Sequence, residues 1–306
     1  MKRSIILLSA AAVILSVLVS CESLGDIGYF GAQIAAESGY ISQNQADAIS
    51  SAAESAEKAF EQLTPEQEYY IGRSVAANIL MDYKALDDPA ALDYLNTLGQ
   101  ALAMASDKPY TYKGYHFMLL DSEEINAFAT PGGFIFITLG MLRCTDSEAT
   151  LAAVLAHEIN HVVLNHGIKA IKSSRWTDTI TKTALAGVAL SSEEMGEVTA
   201  SFGDSVNDIT KTLVVSGYSK KQEKEADQGA AVLLARVGYD PEALITMLNE
   251  MDKRWDPSGG GFAKTHPSPK ERIKNVSKTI KVLPVPYEKT TPVRVNRYHR
   301  AFDSIL

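Results

Sequence analysis

The sequence predicts an α+β fold that is mainly helical and contains one small β-sheet. Segments with the helical spacing of apolar residues recur from residue 42 onward, and several have a recognisable start. Strand-like runs are confined to residues 115–138. The 306 residues show no internal repeat and no long low-complexity segment, so one large domain or two small ones are expected.

The amino terminus has the pattern of a secretory signal. Lys2 and Arg3 precede an apolar run, and a small residue, Ser20, precedes Cys21. The four residues that end at Cys21 resemble a bacterial lipobox, in which the cysteine is diacylated and becomes the first residue of the mature chain. The alternative is an uncleaved membrane anchor, although the apolar run is shorter than the roughly 20 residues of a spanning helix. We expect a signal peptide over residues 1–20 and a lipid on Cys21.

Charge and cysteine content narrow the class of protein further. The formal net charge is −8, and it becomes −10 when Lys2 and Arg3 are removed with the signal. An acidic surface argues against nucleic acid as a partner. The only cysteines are Cys21 and Cys144, so lipidation of the first leaves the second without a disulfide partner. We expect Cys144 to pack as a small apolar residue.

Helices and short strands follow the signal in order. Residues 22–40 contain four glycines and little periodicity, which is typical of a tether. A serine-capped helix is expected over residues 42–63, a second begins at Thr64-Pro65, and a third runs from Asp88-Pro89 to near Ser106. Three strands are then predicted, over the ranges 115–120, 126–130 and 134–138.

The next helix carries the most informative motif. It is predicted to begin with a capping box at Thr145 and Glu148 and to end at Gly167. Within it lies His157-Glu158-Ile159-Asn160-His161, an H-E-x-x-H pattern. Histidines four residues apart share a helical face and can bind one zinc ion, while the glutamate between them can act as a general base. The alternative is a pair of buried histidines beside a salt-bridged glutamate.

A zinc site of this kind needs a third protein ligand. His166 lies about 180° around the same helix from His157, so it cannot share the metal unless the helix breaks. The better candidate is Glu223 on a later helix, with Asp227 on the same face to accept a hydrogen bond from a ligand imidazole. Glu225 is expected to face solvent. A charged surface helix is the alternative interpretation of this segment.

A later loop adds two candidates. Three consecutive glycines precede His266, and Ser268-Pro269 begins a short helix that holds Arg272. Either side chain could stabilise an oxyanion, and His266 could also bind the zinc as a fourth ligand and keep an enzyme latent. The alternative is a histidine that only caps or packs. Residues 281–306 contain three prolines and are expected to form an extended tail.

Several of these motifs together resemble one family. The pairing of His157-Glu158-x-x-His161 with Glu223-x-Glu-Ala-Asp227 is similar to the gluzincin-type HtpX and CAAX-prenyl-endopeptidase family of zinc metallopeptidases. Residues 126–133 resemble the stretch before that family's zinc helix, and Thr265 to Arg272 resembles its late His-Pro segment. The resemblance covers about residues 63–280 and is nearest to the periplasmic branch, its lipoprotein members in particular.

This resemblance implies a zincin-like domain over residues 63–280, preceded by a tether and helix over 21–62 and followed by the tail. It implies one zinc ion per chain, held by His157, His161 and Glu223, with Glu158 as the base. An edge strand containing Asn126, Ala127 and Phe128 would face the active-site cleft and pair with an extended substrate.

The expected function is that of a lipid-anchored zinc endopeptidase in the bacterial cell envelope. It would face the periplasm and cleave misfolded or misassembled envelope proteins. A resemblance to bacterial sorting rules implies the outer membrane, because Glu22 rather than an aspartate follows Cys21. One alternative is a zinc-stabilised chaperone or assembly factor with latent or no proteolysis. Another is a structural lipoprotein with an accidental motif, which would bind no zinc.

Overall fold

The computed structural model describes residues 32–39, 42–47, 50, 63–170, 203, 206–254, 266–283 and 291–306. The chain divides into two compact units, one formed by Met1–Leu63 and Ser173–Ser201 and the other by Thr64–Lys172 and Phe202–Leu306. In the first unit, residues 32–37 and 43–47 are helical. The Ser42 N–H donates to Gln45 Oε1 at 2.9 Å, which gives the predicted cap. Cys21 and residues 48–49 and 51–62 of the helix predicted over 42–63 lie outside the described residues.

The second unit is mainly helical and has one small sheet, so the predicted fold class is confirmed. Its helices are α1 (Pro65–Asp82), α2 (Pro89–Ala105), α3 (Leu139–Leu142), α4 (Glu148–Val163), α5 (His166–Lys169), α6 (Lys220–Arg236), α7 (Glu242–Lys253), α8 (Pro269–Ile280) and α9 (Pro292–Phe302). Its strands are β1 (His116–Leu120), β2 (Ala127–Thr130) and β3 (Phe134–Thr138). A further helical stretch over residues 206–211 leads into a π-helical turn at Thr212–Ser216.

The three strands form a mixed sheet in the order β1-β3-β2. β1 runs parallel to β3, whereas β2 is antiparallel to it, with Ala127 opposite Ile137. A turn at Pro131–Gly133 joins β2 to β3, and Gly132 adopts a φ of 74° there, a conformation that favours glycine. β2 therefore occupies one edge of the described sheet, as the sequence suggested for the strand before the motif helix.

Helix α4 is the centre of the unit, and every residue from Glu148 to Val162 is buried. The capping box predicted at Thr145 is wrong, because the Thr145 hydroxyl donates to the Leu142 carbonyl at 2.6 Å and closes the preceding turn. Ser147 is the actual N-cap, and its side chain and that of Thr150 cap each other's backbone N–H groups. Cys144, in the same turn, is buried as expected.

The end of α4 also differs from the prediction. The helix ends at Val163, and Asn165 adopts a left-handed conformation with a φ of 54°, which redirects the chain into α5. Gly167 lies inside α5 and does not terminate α4. The sequence signal was misleading because asparagine can take the left-handed conformation that glycine usually supplies at a helix end.

The carboxy-terminal residues are another correction. The sequence predicted an extended tail over residues 281–306, but Thr291 caps a helix with Pro292 at its first position. Tyr298 and Phe302 of this helix, α9, are buried in the main core. Pro292, one of the three prolines that suggested an extended tail, is the first residue of this helix. An N–H at that position has no partner within the helix, so its absence has no cost.

Among the residues that the structure describes, no helix has both the length and the apolar character needed to span a membrane.

Candidate metal centre

Helices α4 and α6 pack against each other and bring three of the predicted ligands together. His157 and His161 lie one turn apart on α4, with their Nε2 atoms separated by 3.0 Å. Across the helix interface, Glu223 places Oε2 at 3.7 Å from His157 Nε2 and Oε1 at 3.4 Å from His161 Nε2. All three side chains are buried.

The chemistry of these donors fits a divalent metal. Both carboxylate oxygens of Glu223 are buried, and neither accepts a hydrogen bond within the described chain. Burial raises the pKa of Glu223 well above its usual range, and burial lowers the pKa of both His157 and His161. Two neutral imidazoles and one unsatisfied carboxylate around a single point are the ligand set of many zinc sites.

His266 joins the same cluster. Its Nε2 atom lies 3.5 Å from Glu223 Oε1, and its side chain is only 7% exposed. One donor atom from each of His157, His161, Glu223 and His266 lies within 4.8 Å of the others. The late histidine therefore stands where a fourth ligand or a neighbour of the fourth coordination position would be.

Asp227 and Arg272 lie behind His157. Asp227 Oδ1 is 3.0 Å from His157 Nδ1, as expected for an acceptor that fixes the tautomer of a ligand. The Arg272 guanidinium donates to both oxygens of Asp227, at 2.7 and 3.0 Å, and its Nη2 is 3.3 Å from His157 Nδ1. Although burial acts against it, this pairing holds the pKa of Asp227 far below its usual range. The structure thus places Arg272 against the carboxylate that supports His157.

Glu158 lies beside the cluster and borders a narrow cavity. Burial raises its pKa to about 8, while Arg272 acts in the opposite direction. The same cavity is lined by Ala127, Phe128 and Ala129 of β2 and by His266. Two of the predicted edge-strand residues thus border the same space as Glu158.

Asn126, the third edge-strand candidate, precedes β2 and is tied to β3. Its N–H donates to Thr138 Oγ1 at 3.0 Å, and its side-chain oxygen accepts from the Ala127 N–H at 3.0 Å. The structure therefore assigns Asn126 to holding the start of β2 in place, whereas Ala127 and Phe128 border the cavity.

Two side chains near the cluster of donor atoms, those of Tyr218 and Glu225, make contacts that the sequence did not predict. The Tyr218 ring stacks on His161, with centroids 4.2 Å apart and planes at 16°. Glu225 was expected to face solvent, and its side chain is 36% exposed, but its Oε2 also lies 3.3 Å from Nε2 of the buried His166. The helix break before α5 causes this difference, because it brings His166 back against the metal cluster. No local sequence signal marked Tyr218, which follows the π-helical turn.

The fold and the site define a metallopeptidase-type domain, in which an H-E-x-x-H helix and a glutamate from a second helix surround one metal position. A family model described as Peptidase family M48 matches residues 89–280. This match covers more than half of the chain, and the chain belongs to that family, as its motifs indicated.

The chain is similar to bacterial proteases and to a mitochondrial metalloendopeptidase of yeast. The chain is 29% identical over 217 residues to the beta-barrel assembly-enhancing protease of Escherichia coli K12, covering 68% of this chain and 42% of that protein. It is 29% identical over 202 residues to the metalloprotease LoiP of the same strain, covering 64% and 74%. The mitochondrial metalloendopeptidase OMA1 of Schizosaccharomyces pombe is 34% identical over 157 residues, covering 51% and 43%. The chain thus spans about two fifths of the length of the beta-barrel assembly-enhancing protease.

Proposed function

We propose that this chain is a zinc-dependent metalloendopeptidase that hydrolyses peptide bonds in misfolded or misassembled cell-envelope proteins. The observation that carries the proposal is the convergence of His157, His161 and Glu223, with Glu158 buried beside them. The names of the relatives, which are proteases and in one case an assembly-enhancing protease, support the choice of reaction and of substrate class.

The proposed roles follow from the contacts of each side chain. His157 and His161 would hold zinc through their Nε2 atoms, and Glu223 would hold it through its carboxylate. A bound zinc ion supplies Lewis acidity, which makes water a better nucleophile and a carbonyl a better electrophile. Glu158 would accept a proton from the attacking water and deliver it to the nitrogen of the leaving amine.

The substrate is proposed to bind as an added strand along β2. Ala127 and Phe128 lie at the sheet edge and border the cavity that Glu158 also lines. An extended peptide paired with this edge would be held mainly through its backbone, so binding would tolerate many sequences. Such tolerance suits a substrate class defined by exposure of unfolded chain rather than by a sequence motif.

His266 is proposed to control access to the metal or to stabilise the oxyanion. Its position 3.5 Å from Glu223, within the cluster of donor atoms that would hold a metal, supports both roles. Arg272 is the weaker oxyanion candidate, since its guanidinium is bound to Asp227. Replacing His266 by Ala should change the peptidase rate while zinc remains bound, and an unchanged rate would exclude both roles.

The cellular placement is also a proposal and rests on the sequence. A signal peptide over residues 1–20, a lipid on Cys21 and a tether over residues 21–62 would attach the peptidase domain, residues 63–280, to the periplasmic face of the outer membrane. Metabolic labelling with a radioactive fatty acid tests this directly, because Cys21→Ser should abolish incorporation. Incorporation that persists in this variant would contradict the proposed anchor.

The experiment that tests the function is cleavage of an unfolded polypeptide by wild type and by Glu158→Gln, with zinc occupancy matched. Cleavage by the wild type alone supports a zinc peptidase with Glu158 as its base. If zinc is bound in both proteins and neither cleaves, the result favours the second candidate, a zinc-stabilised chaperone or assembly factor. The edge strand β2 would serve such a protein equally well. A chain that binds no zinc would exclude both the zinc peptidase and the zinc-stabilised chaperone or assembly factor.

A further inference from the structure

His161 has a second buried partner besides Glu223. Its Nδ1 atom lies 3.0 Å from Nδ1 of His166, whose side chain is completely buried. The other ring nitrogen of His161, Nε2, faces Glu223 at 3.4 Å. His161 is thus held between the proposed metal position on one side and another imidazole on the other.

The positions of the protons follow from the ring chemistry. If Nε2 of His161 binds a metal through its lone pair, Nδ1 carries the proton and donates it. His166 must then accept at Nδ1, which leaves its own proton on Nε2. That nitrogen lies 3.3 Å from Glu225 Oε2, although the contact is too poorly aligned to count as a hydrogen bond.

The backbone makes this arrangement possible. A continuous α4 would point residue 166 to the side opposite His157, but the left-handed conformation of Asn165 turns the chain and returns His166 to the cluster. The Tyr218 ring then covers His161 at 4.2 Å and His166 at 5.7 Å between centroids. A ring placed there keeps water from competing for the contact between the two histidines.

We propose that His166 is a positioning residue for the metal site, which accepts the His161 Nδ1 proton and so aims Nε2 at the metal, while Glu225 orients His166. The proposal deepens the proposed function and rests on it, because it needs His161 to be a ligand. It gives each ligand imidazole a supporting group, Asp227 behind His157 and the His166–Glu225 pair behind His161.

The test is the zinc affinity of the full chain, purified in detergent, measured by competition with a chelator of known affinity. His166→Asn places an oxygen near the position of Nδ1, so the acceptor for His161 is kept. His166→Gln has the same polarity but reaches towards the position of Nε2, and His166→Leu removes both. His299→Leu is the control, because His299 is an exposed histidine paired with Asp303 on α9.

We expect the Leu and Gln variants to lose about 10–100-fold in zinc affinity, the usual effect of removing a partner of a ligand histidine. The Asn variant and the control should stay near wild type, and Glu225→Ala should lose less than His166→Leu. The visible spectrum of the cobalt-loaded protein should differ from that of the wild type in the His166→Leu and His166→Gln variants. In the His166→Asn variant it should match the wild type. If the His166→Leu variant does not fold, the zinc affinities of His166→Asn and His166→Gln still test the inference.

Three results would overturn the inference. If His166→Leu and His166→Gln both keep the wild-type zinc affinity, His166 does not position a ligand. If His166→Asn and His166→Gln lose zinc affinity equally, His166 acts through its shape alone. A wild type that binds no zinc would remove the site itself, and with it the proposed function. Tight zinc binding by the wild type together with unaltered variants would therefore refute the His166 role and leave the peptidase proposal standing.

Discussion

Arg297 of the carboxy-terminal helix α9 binds Glu148, the first residue of the motif helix α4. Its Nε donates to Oε2 at 2.9 Å, and its Nη2 donates to Oε1 at 2.5 Å. The hydroxyls of Tyr94 and Tyr239 donate to the same carboxylate at 2.6 and 2.7 Å. One buried carboxylate thus joins α2, α9 and the loop before α7 to the amino-terminal end of α4.

Replacing Glu148 by Ala should lower the free energy of unfolding by about 1–3 kcal/mol, because the hydroxyls of Tyr94 and Tyr239 lose their buried acceptor. Arg297→Ala should cost only about 0–1 kcal/mol, because the Arg297 side chain is 52% exposed. Arg300→Ala, an exposed arginine on the same helix, is the control. Denaturant unfolding measures all three, and an equal effect of Glu148→Ala and Arg297→Ala would contradict this ranking.

Stability should depend on the charge of Glu148 in acid. Burial acts to raise its pKa, but hydrogen bonds from Tyr94, Tyr239 and Arg297 outweigh it and hold the pKa below the usual value. The carboxylate therefore stabilises the fold above the unfolded-state pKa of about 4.3, and this contribution is lost as the pH falls through the lower folded-state pKa. Unfolding curves of wild type and Glu148→Gln should converge below about pH 4. A constant difference from neutral pH to about pH 3 would contradict the role of the charge.

Glu158→Gln should reduce peptide hydrolysis by about 10²–10⁴-fold, the range over which a general base contributes. Zinc content should not change, since the Glu158 side chain is not one of the clustered donor atoms. Glu242→Gln, an exposed glutamate at the start of α7, is the matched control. A turnover assay with zinc analysis on the same samples measures both quantities, and full activity in Glu158→Gln would exclude it as the base.

Asp227→Asn should weaken zinc binding by about 10–100-fold, because the proposed ligand His157 loses a charged acceptor behind it. It should also destabilise the metal-free protein, since Arg272 would lose the carboxylate that receives its two hydrogen bonds. Chelator competition and unfolding of the metal-free chain separate the two effects. Wild-type zinc affinity in this variant would show that His157 needs no such support.

Gly72→Ala should destabilise the unit, because α1 packs directly on the turn that joins β2 to β3. A Cβ atom at position 72 would lie 1.7 Å from the Pro131 carbonyl oxygen, and backbone at such a contact cannot move aside cheaply. We expect a loss of about 1–3 kcal/mol or more in the free energy of unfolding. Ser74→Ala in the same helix is the control, and an unchanged stability of Gly72→Ala would mean that α1 shifts freely.

Local patterns were enough to predict the fold class, the starts of α1 and α2 and the three strands. The caps at Thr64 and Asp88 lie within a few residues of the structure they specify, so the sequence displays them directly. The histidines of α4 were placed together for the same reason, because helical spacing alone fixes their common face.

The parts that sequence did not predict depend on distant or unusual contacts. Asn165 breaks α4 through a backbone conformation that its residue type only permits, and the positions of His166 and Glu225 follow from that break. Helix α9 was mistaken for an extended tail because its stability comes from burying the rings of Tyr298 and Phe302 in the core of the unit. The core residues that receive these rings are distant in the sequence, so no local pattern announces the contact.

The two buried carboxylate oxygens of Glu223 should make the stability of the folded chain depend on a bound cation. Two buried oxygens without hydrogen bonds from the described chain are costly in the metal-free fold, and a cation between them and the imidazoles would remove that cost. A ligand that binds only the folded chain adds stability in proportion to the logarithm of its free concentration. Scarcity of the metal would then raise the unfolded fraction of the chain and leave more of it open to degradation.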